Sequence, residues 1–315
     1  MKFAQGAQRV IPIFVGGTGR SGTTVLGELL GTHPHIYTSN PIEIKFLANR
    51  GGLLDVVFGH LNEEVKELPL ISFFNYRTRK KRQDREYRFH SKILDEMVEN
   101  IWAKWWRIDA PPPHGPGLIA GITEKQLQLL LHRYRNGFKA DRVKRARKFM
   151  RRFLQYQHRY QRELYWVETT PMNISNAERL YKLFPQALFI NMVREPKDVI
   201  SSLLTKNWGP ETPMEGLDWI ERRLINDQAA LACVPKSQQL TISLEDLVID
   251  ARESTYKSLL DFLSLEDSPQ MKNFFEEKMK AEAASSGRWR SESFDQAFEN
   301  EYQLMMDRLK KLGIK

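Results

Sequence analysis

One cysteine in 315 residues, Cys233, excludes an internal disulfide and any zinc site built on cysteine. It stands in the apolar run Ala229–Val234, which reads as a buried structural thiol rather than a nucleophile. No apolar run reaches the roughly 18 residues of a membrane helix. Lys2 precedes only the short segment Ile11–Val15, too little for a signal-peptide core, so the chain reads as cytoplasmic. Asn173-Ile-Ser175 matches a glycosylation sequon, which carries little weight without a secretion signal. No internal repeat and no metal-ligand cluster is visible. The length suffices for a substantial core, as one large domain or a domain with an insertion.

Acidic charge is scarce in two places. The net charge is +9, but Arg77–His90 holds seven Lys/Arg against two acids, and Arg133–Arg152 holds ten against one. The remainder of the chain is therefore net acidic, and the basic character belongs to one region, which bears on a partner rather than on the fold.

What is present begins near the N-terminus. Val10–Val15 reads as a short buried strand, Gly16-Gly-Thr-Gly-Arg-Ser-Gly-Thr-Thr24 as a glycine-rich turn, and Val25–Leu30 as the start of a helix. This order suits an oxyanion, because glycines let backbone N–H groups point inward and the helix N-terminus adds a favourable dipole. Gly17 and Gly22 have the spacing of a Walker A loop, yet Thr23 stands where an NTPase carries Lys. The positive charge falls earlier, at Arg20.

Further along, His35–Thr38 predicts a second short strand, and Asn40-Pro41 the entry to a helix, capped by Ser39 or Asn40 with Pro41 in its first turn. From about 51 to 161 there is no strong strand signal. Leu53–Leu61 and Ile93–Trp106 look amphipathic, Ala110–Gly117 is a turn-rich break, Thr123-Glu-Lys-Gln starts a helix, and a second helix is expected over Ala140–Leu164. The α/β rhythm resumes with strands at Leu164–Glu168, Ala187–Val193 and Gln239–Leu244. Helices follow each of them, over Ser175–Phe184, Lys197–Thr205 and Glu253–Leu263, and the tail closes in a basic loop and a long amphipathic helix. The expectation is a single α/β domain over 1–315, a parallel sheet flanked by helices, with a large basic helical insertion at about 51–161. Ligand sites in such sheets lie at the C-terminal ends of the strands.

Three segments place chemistry there. Arg20, Ser21, Thr23 and Thr24 surround the glycine loop, where an arginine makes bidentate contacts with an oxyanion. Arg194-Glu-Pro-Lys-Asp-Val-Ile-Ser-Ser202 puts Arg194 at a strand end and Ser202 about two helical turns on. Together these resemble the sulfotransferases that use 3′-phosphoadenosine-5′-phosphosulfate (PAPS), with a P-loop-like fold, in particular the carbohydrate and tyrosylprotein branches. Glu168-Thr-Thr-Pro171, the helix–Phe-Pro–strand pattern of Leu180–Val193, Leu244-Glu-Asp-Leu247 and Ser286-Gly-Arg-Trp289 are similar as well. The resemblance covers about 10–50 and 164–310.

The resemblance implies that Gly19, Arg20, Ser21, Gly22, Thr23 and Thr24 bind the 5′-phosphosulfate. It implies that Arg194 and Ser202 hold the 3′-phosphate, with Gly287 and Arg288 closing over it, the product being adenosine 3′,5′-bisphosphate (PAP). Glu43 falls where those branches have a glutamate that takes the acceptor's proton, a step worth about 10²–10⁴-fold; as a plain helix-start acid it would only favour the dipole. His33 and His35 are rival bases. Many relatives carry a Lys before the Thr/Ser-Pro of the third strand; here the residue is Thr169, so either Lys45 or Arg20 steadies the bridging oxygen or its charge goes unassisted. No metal is expected, because a sulfuryl carries one negative charge where a phosphoryl carries two. Trp289 packs on the loop or anchors the last helix.

The implied function is transfer of the sulfuryl group from PAPS to a hydroxyl or amine of an acceptor, a glycan or other small molecule. Two alternatives come from other classes. A P-loop kinase or nucleotide-binding enzyme lacks its Lys at position 23 and an apolar-strand Asp. A nucleic-acid-binding protein is suggested by the basic region with Tyr134, Phe149, Phe153 and Tyr156, but a solvated helix face accounts for it more simply, and a lid or groove for an acidic acceptor is the alternative. The sequence leaves the acceptor and the oligomeric state open.

Overall fold

The computed structural model describes residues 10–61, 76–111, 115–137, 141–158, 163–281, 286–291 and 294–314. The described chain forms two compact units, one of residues 1–38, 162–181 and 185–315, the other of 39–161 and 182–184. Glu43 and Lys45 thus belong to the second unit, and the glycine loop to the first.

The first unit is built on five parallel strands: β1 (Ile11–Gly17), β2 (Ile36–Thr38), β3 (Tyr165–Glu168), β4 (Leu188–Val193) and β5 (Gln239–Ser243). Their spatial order is β2-β3-β1-β4-β5, so β1 is central. Its position explains its composition. Residues 12–17 are all buried, because neighbouring strands occupy both edges and helices both faces. Each strand lies within one or two residues of the sequence expectation. The register pairs Ile11 with Tyr165 on one side of β1, and Gly17 with Met192 on the other. The glycine loop therefore leaves β1 two residues' distance from the point where β4 delivers Arg194.

Helix α1 (Thr23–Gly31) packs Leu26, Leu29 and Leu30 into one core, and each fully buried leucine contributes roughly 1.5–3 kcal/mol. Naming the helices of the second unit in chain order gives α2 (Lys45–Ala48), α3 (Leu53–Phe58), α4 (Tyr76–Asn100), α5 (Glu124–Asn136) and α6 (Arg142–Gln157). After α7 (Ala177–Leu183) the first unit continues with α8 (Pro196–Leu204), α9 (Pro213–Ala232), α10 (Arg252–Leu263), α11 (Pro269–Lys278) and α12 (Gln296–Lys311). Residues of α10 and α11 join the α1 core, while α8, α9 and α12 form a second apolar cluster around Val199, Ile220, Phe298 and Met305.

In the second unit no strand occurs among the described residues. Helix α5 starts in a capping box, with Thr123 Oγ1 accepting from the Gln126 N–H and the Gln126 side chain accepting from the Thr123 N–H. The α5 and α6 faces meet through Tyr134 and Phe149, whose ring centroids are 5.3 Å apart, and Phe46 stacks edge-on against Phe149 and Phe153.

Three expectations are corrected. The helix expected at Pro41 begins only at Lys45, because Asn40 does not cap it. Asn40 is tied to other loops instead, donating from its side chain to the Ala120 carbonyl and accepting from Gln157 Nε2 at 2.7 Å. Helix α6 ends at Gln157 rather than 164; of the remainder, 159–162 lies outside the described residues. Cys233 is exposed, because it follows the last turn of α9, where Leu231 and Val234 take the buried positions. Among the described residues no helix is long and apolar enough to cross a membrane.

Candidate functional site

The end of β1 has no room for a side chain. A Cβ on Gly17, at φ +146°, would lie 2.1 Å from the Met192 carbonyl oxygen. Beyond it, Gly19, Arg20 and Gly22 all take positive φ, which turns successive N–H groups toward a common centre. Arg20 does so at φ 56°, a conformation costing a non-glycine residue about 1–2 kcal/mol. Two long-range hydrogen bonds hold it there. Its Nε donates to Ser202 Oγ at 2.9 Å, and its carbonyl accepts from Arg194 Nη1 at 3.0 Å. Helix α1 begins at once with Gly22 as N-cap, without a side-chain cap and without an acid in its first turn. Its first N–H groups are therefore available to an anion. The Ser21 hydroxyl is fully buried and has no hydrogen-bond partner among the described residues. A buried polar group in that state costs free energy that a ligand oxygen would return.

Arg194 is held by a partner the sequence reading passed over. Asp198, in the first turn of α8, is 1% exposed and its Oδ2 lies 3.6 Å from Arg194 Nη2. The same carboxylate accepts from the Gly287 N–H at 2.7 Å and the Trp289 N–H at 3.2 Å. Asp198 thus links the strand-end arginine to the Gly287–Trp289 turn, although 89 residues separate Asp198 and Gly287. Lys197 fixes the same turn from the other side. Its ammonium lies 4.3 Å from the Trp289 ring centroid and 4.4 Å from that of Tyr302, and it bonds Glu299 at 2.6 Å. Of the two roles expected of Trp289, the contact through Lys197 with Tyr302 of the last helix is the one seen. The Arg288 side chain is exposed.

A second overlooked residue, Arg223 on α9, closes the loop from beneath. Its Nη2 donates to the carbonyl of Gly17 and, at 2.6 Å, to that of Pro171, joining the ends of β1 and β3. Its Nε bonds both oxygens of Asp227 at 2.9 Å. Asp227 is buried and also accepts from Ser175; burial raises its pKa, and Arg223 and Ser175 pull it back. Nearby, the buried Asn173 amide donates to the Val15 carbonyl and, at 2.6 Å, to the Glu168 carboxylate. Being fully enclosed, Asn173 is not an accessible sequon.

The site residues expected from sequence separate into two groups. Gly19, Arg20, Ser21, Gly22, Thr23, Thr24, Arg194, Ser202 and Gly287 share the first unit, and the bonds above link the loop, Arg194, Ser202 and Gly287 directly. Glu43 and Lys45 are in the second unit, where Lys45 Nζ lies 3.8 Å from Glu43 Oε2 and the Glu43 side chain is 10% exposed. Thr169 is fully buried at the end of β3. Of the rival bases, His33 is occupied: its Nδ1 accepts from the His35 N–H at 3.1 Å, so Nε2 carries the proton and donates to the Glu266 carbonyl at 3.0 Å. Burial lowers its pKa. Among the described residues no cluster of three or more His, Cys, Asp or Glu is placed to hold a metal ion.

Comparison with known proteins bears on this arrangement. Among solved structures, the sulfotransferase domain of the olefin synthase of Synechococcus PCC 7002 is 16% identical, with a TM-score of 0.53 and 98% of each chain covered. The sulfotransferase domain from the curacin biosynthetic pathway is 17% identical, at TM-score 0.48, with 98% of this chain and 99% of that one covered. Sulfotransferase STF9 of Mycobacterium avium is 14% identical, also at 0.48, covering 97% of this chain and 78% of that one. Only the first supports an argument, and it speaks for the α/β fold. No curated protein matches the chain. The sulfotransferase family model, however, matches residues 12–269, which takes in the glycine loop, all five strands, Arg194 and Ser202. The chain belongs to the sulfotransferase family.

Proposed function

We propose that this sulfotransferase takes its sulfuryl group from PAPS and passes it to a hydroxyl or amine of a negatively charged acceptor. The observation that carries the reading is the pair of bonds at Arg20, one donated to Ser202 and one accepted from Arg194, which unite two segments 174–182 residues apart. The orphaned Ser21 hydroxyl and the uncapped first turn of α1 suit the donor's 5′ end. Arg20, Ser21, Gly22, Thr23 and Thr24 would hold the phosphosulfate, and Arg194, Ser202, Gly287 and Arg288 the 3′-phosphate.

When bound, the donor supplies an activated sulfuryl. The chain's own residues supply the rest. The loop N–H groups and Arg20 are fixed before any ligand arrives, so they stabilise developing negative charge without reorganising. Glu43 is proposed as the base that takes the acceptor's proton, and Lys45 as its neighbour that steadies charge on the leaving oxygen. An acidic acceptor is supported by the concentration of cations in the second unit.

Calorimetry with PAP and with ATP tests the donor. PAP is expected to bind without a divalent ion and ATP more weakly; tighter, Mg²⁺-dependent ATP binding would favour a kinase and sink the proposal. A transfer screen from labelled PAPS over glycan, lipid, phenol and peptide acceptors tests the reaction. In it Glu43→Ala is expected to lose about 10²–10⁴-fold in rate while binding PAP normally.

A further inference from the structure

A cavity of about 210 Å³ lies in the second unit between α5 and α6, lined by Leu130, Arg133, Tyr134, Arg145, Lys148, Phe149 and Arg152. The lining divides by chemistry. Leu130, Tyr134 and Phe149 are buried and form an apolar, largely aromatic floor. The remaining four residues are all cationic. No acid lines the cavity.

Three acids of this region are engaged elsewhere, two by other cations and one by a backbone N–H. Arg135 pairs with Asp95 at 2.7 Å, Arg142 with Glu86 at 2.6 Å, and Asp141 caps α6 by accepting from the Lys144 N–H. Arg147 donates to the carbonyls of Leu183 and Lys182. The side chains of Arg133, Arg145, Lys148 and Arg152 make no ion pair or hydrogen bond among the described residues. The sequence alone does not make this division, because all of these residues belong to one basic run.

The arrangement works against the fold. Arg145 and Lys148 are three residues apart on α6, Lys148 and Arg152 four, and like charges at both spacings destabilise a helix. Arg145 also stands near the N-terminus of α6, whose first turn contains no acid and whose dipole disfavours a cation. The chain nevertheless makes space for it: a Cβ on Gly137 would fall 1.1 Å from Arg145 Nη2. Glycine at 137 is what lets the Arg145 guanidinium lie against the C-terminal end of α5. The negative end of the α5 dipole and the Asp141 cap offset part of the cost of Arg145, but the like-charge spacings to Lys148 and Arg152 remain, and local conflicts of this kind are expected at functional positions.

We propose that this cavity binds a small polyanion, a molecule bearing sulfate or phosphate ester groups on a compact ring. The four cations would take the oxyanion groups, with the arginines giving forked contacts, and the aromatic floor would accept the ring. A nucleic acid is disfavoured because a cavity of about 210 Å³ has room for one compact ring and not for a run of stacked bases. This inference does not depend on the donor reading, since the cavity and the glycine loop belong to different units.

The test is calorimetry on the full chain with sucrose octasulfate at physiological salt, with PAP titrated in parallel. Arg145→Glu/Lys148→Glu is expected to weaken octasulfate binding at least tenfold. Gly137→Ala, whose new methyl displaces only the end of the Arg145 side chain, should weaken it about threefold to tenfold. Lys144→Glu/Arg151→Glu makes the same change of charge outside the cavity and should cost less than threefold, and Arg20→Ala should cost nothing. Thermal melting reports whether each variant is folded; Arg152→Gln replaces the double variant if it is not. Equal losses in the two charge-reversal pairs, or loss of binding in Arg20→Ala, would overturn the proposal. So would tighter binding of a 20-nucleotide single-stranded DNA than of the octasulfate through the same residues. Failure of PAP to bind while octasulfate binds would instead count against the donor reading alone.

Discussion

Arg20 Nε donates to Ser202 Oγ at 2.9 Å across 182 residues of sequence, and Arg20 meets that hydroxyl from a left-handed backbone conformation. The geometry sets conformational strain against function, and the two can be separated by substitution. Arg20→Gly and Arg20→Ala both remove the guanidinium, and each should lower kcat/KM by about 10²–10³-fold, as loss of a transition-state donor does. Glycine tolerates the conformation and alanine does not, so Arg20→Gly should be the more stable of the two by about 1 kcal/mol. Urea unfolding of both variants checks this; equal stability would mean that the loop relaxes once the side chain is gone. Ser202→Ala should weaken PAP binding by about 1 kcal/mol, the usual value of one hydrogen bond, with little change in stability.

Asp198 holds the Gly287 turn against Arg194, and its removal should free both. Because the carboxylate is buried and balances a guanidinium that is itself only 8% exposed, Asp198→Ala should cost about 3 kcal/mol of stability. Asp198→Asn, which retains acceptor capacity but not charge, should fall between. The specific readout is tryptic cleavage after the exposed Arg288 and Arg290. It should be faster in Asp198→Ala under native conditions and suppressed again by PAP. An unchanged cleavage rate would show that the turn is held by Lys197 and Trp289 without Asp198.

How much of this was open to sequence reading depended on whether the determinant was local. The strands were legible because β1 is an apolar run that ends in glycines and β4 one that ends at Arg194-Glu-Pro. Helices α9 and α11 were overlooked although each carries a local signal, Thr212-Pro213 and Ser268-Pro269, with the hydroxyl accepting from the N–H of the third helical residue. Residues acting through the fold were less visible. Arg223 and Asp227 look in sequence like an ordinary surface pair at i,i+4, and nothing nearby shows that the carbonyls of Gly17 and Pro171 complete the set. Asn40 likewise reads as a cap, and only the chain's return at Gln157 redirects it. The spacing of Arg194 and Asp198 was a signal that could have been used.

Acid should destabilise the chain before its carboxylates titrate. His33 and His90 both have pKa values below the ordinary 6.5, chiefly because burial penalises the imidazolium. The unfolded chain therefore binds a proton near pH 6.5 that the native chain resists. The stability that each contributes is complete above about 6.5 and is lost as the pH falls through the lowered native value, with a slope of up to about 1.4 kcal/mol per pH unit for each group. For His33 the structural reason is specific: protonation of Nδ1 removes the acceptor of the His35 N–H. Unfolding free energy measured from pH 7.5 to 5 should fall, and His33→Gln should flatten that slope. A slope unaltered in His33→Gln/His90→Gln would assign the acid sensitivity to other groups.

The Arg223–Asp227 pair sets loop position and stability at once, and a double-mutant cycle can tell them apart. Arg223→Ala leaves a buried carboxylate bonded to Ser175 and frees the Gly17 carbonyl; the expected loss is about 3 kcal/mol. Asp227→Asn removes the charge but leaves Arg223 its two carbonyl contacts, so PAP affinity should be retained even where some stability is lost. In the double variant the uncompensated charge is absent, and the total loss should fall short of the sum of the single losses by at least 1 kcal/mol. PAP affinity should nonetheless remain as low as in Arg223→Ala, because the tether from α9 to the end of β1 is still missing. Recovery of both stability and affinity in the double variant would mean that Arg223 serves only to neutralise Asp227, and that the glycine loop keeps its shape without it.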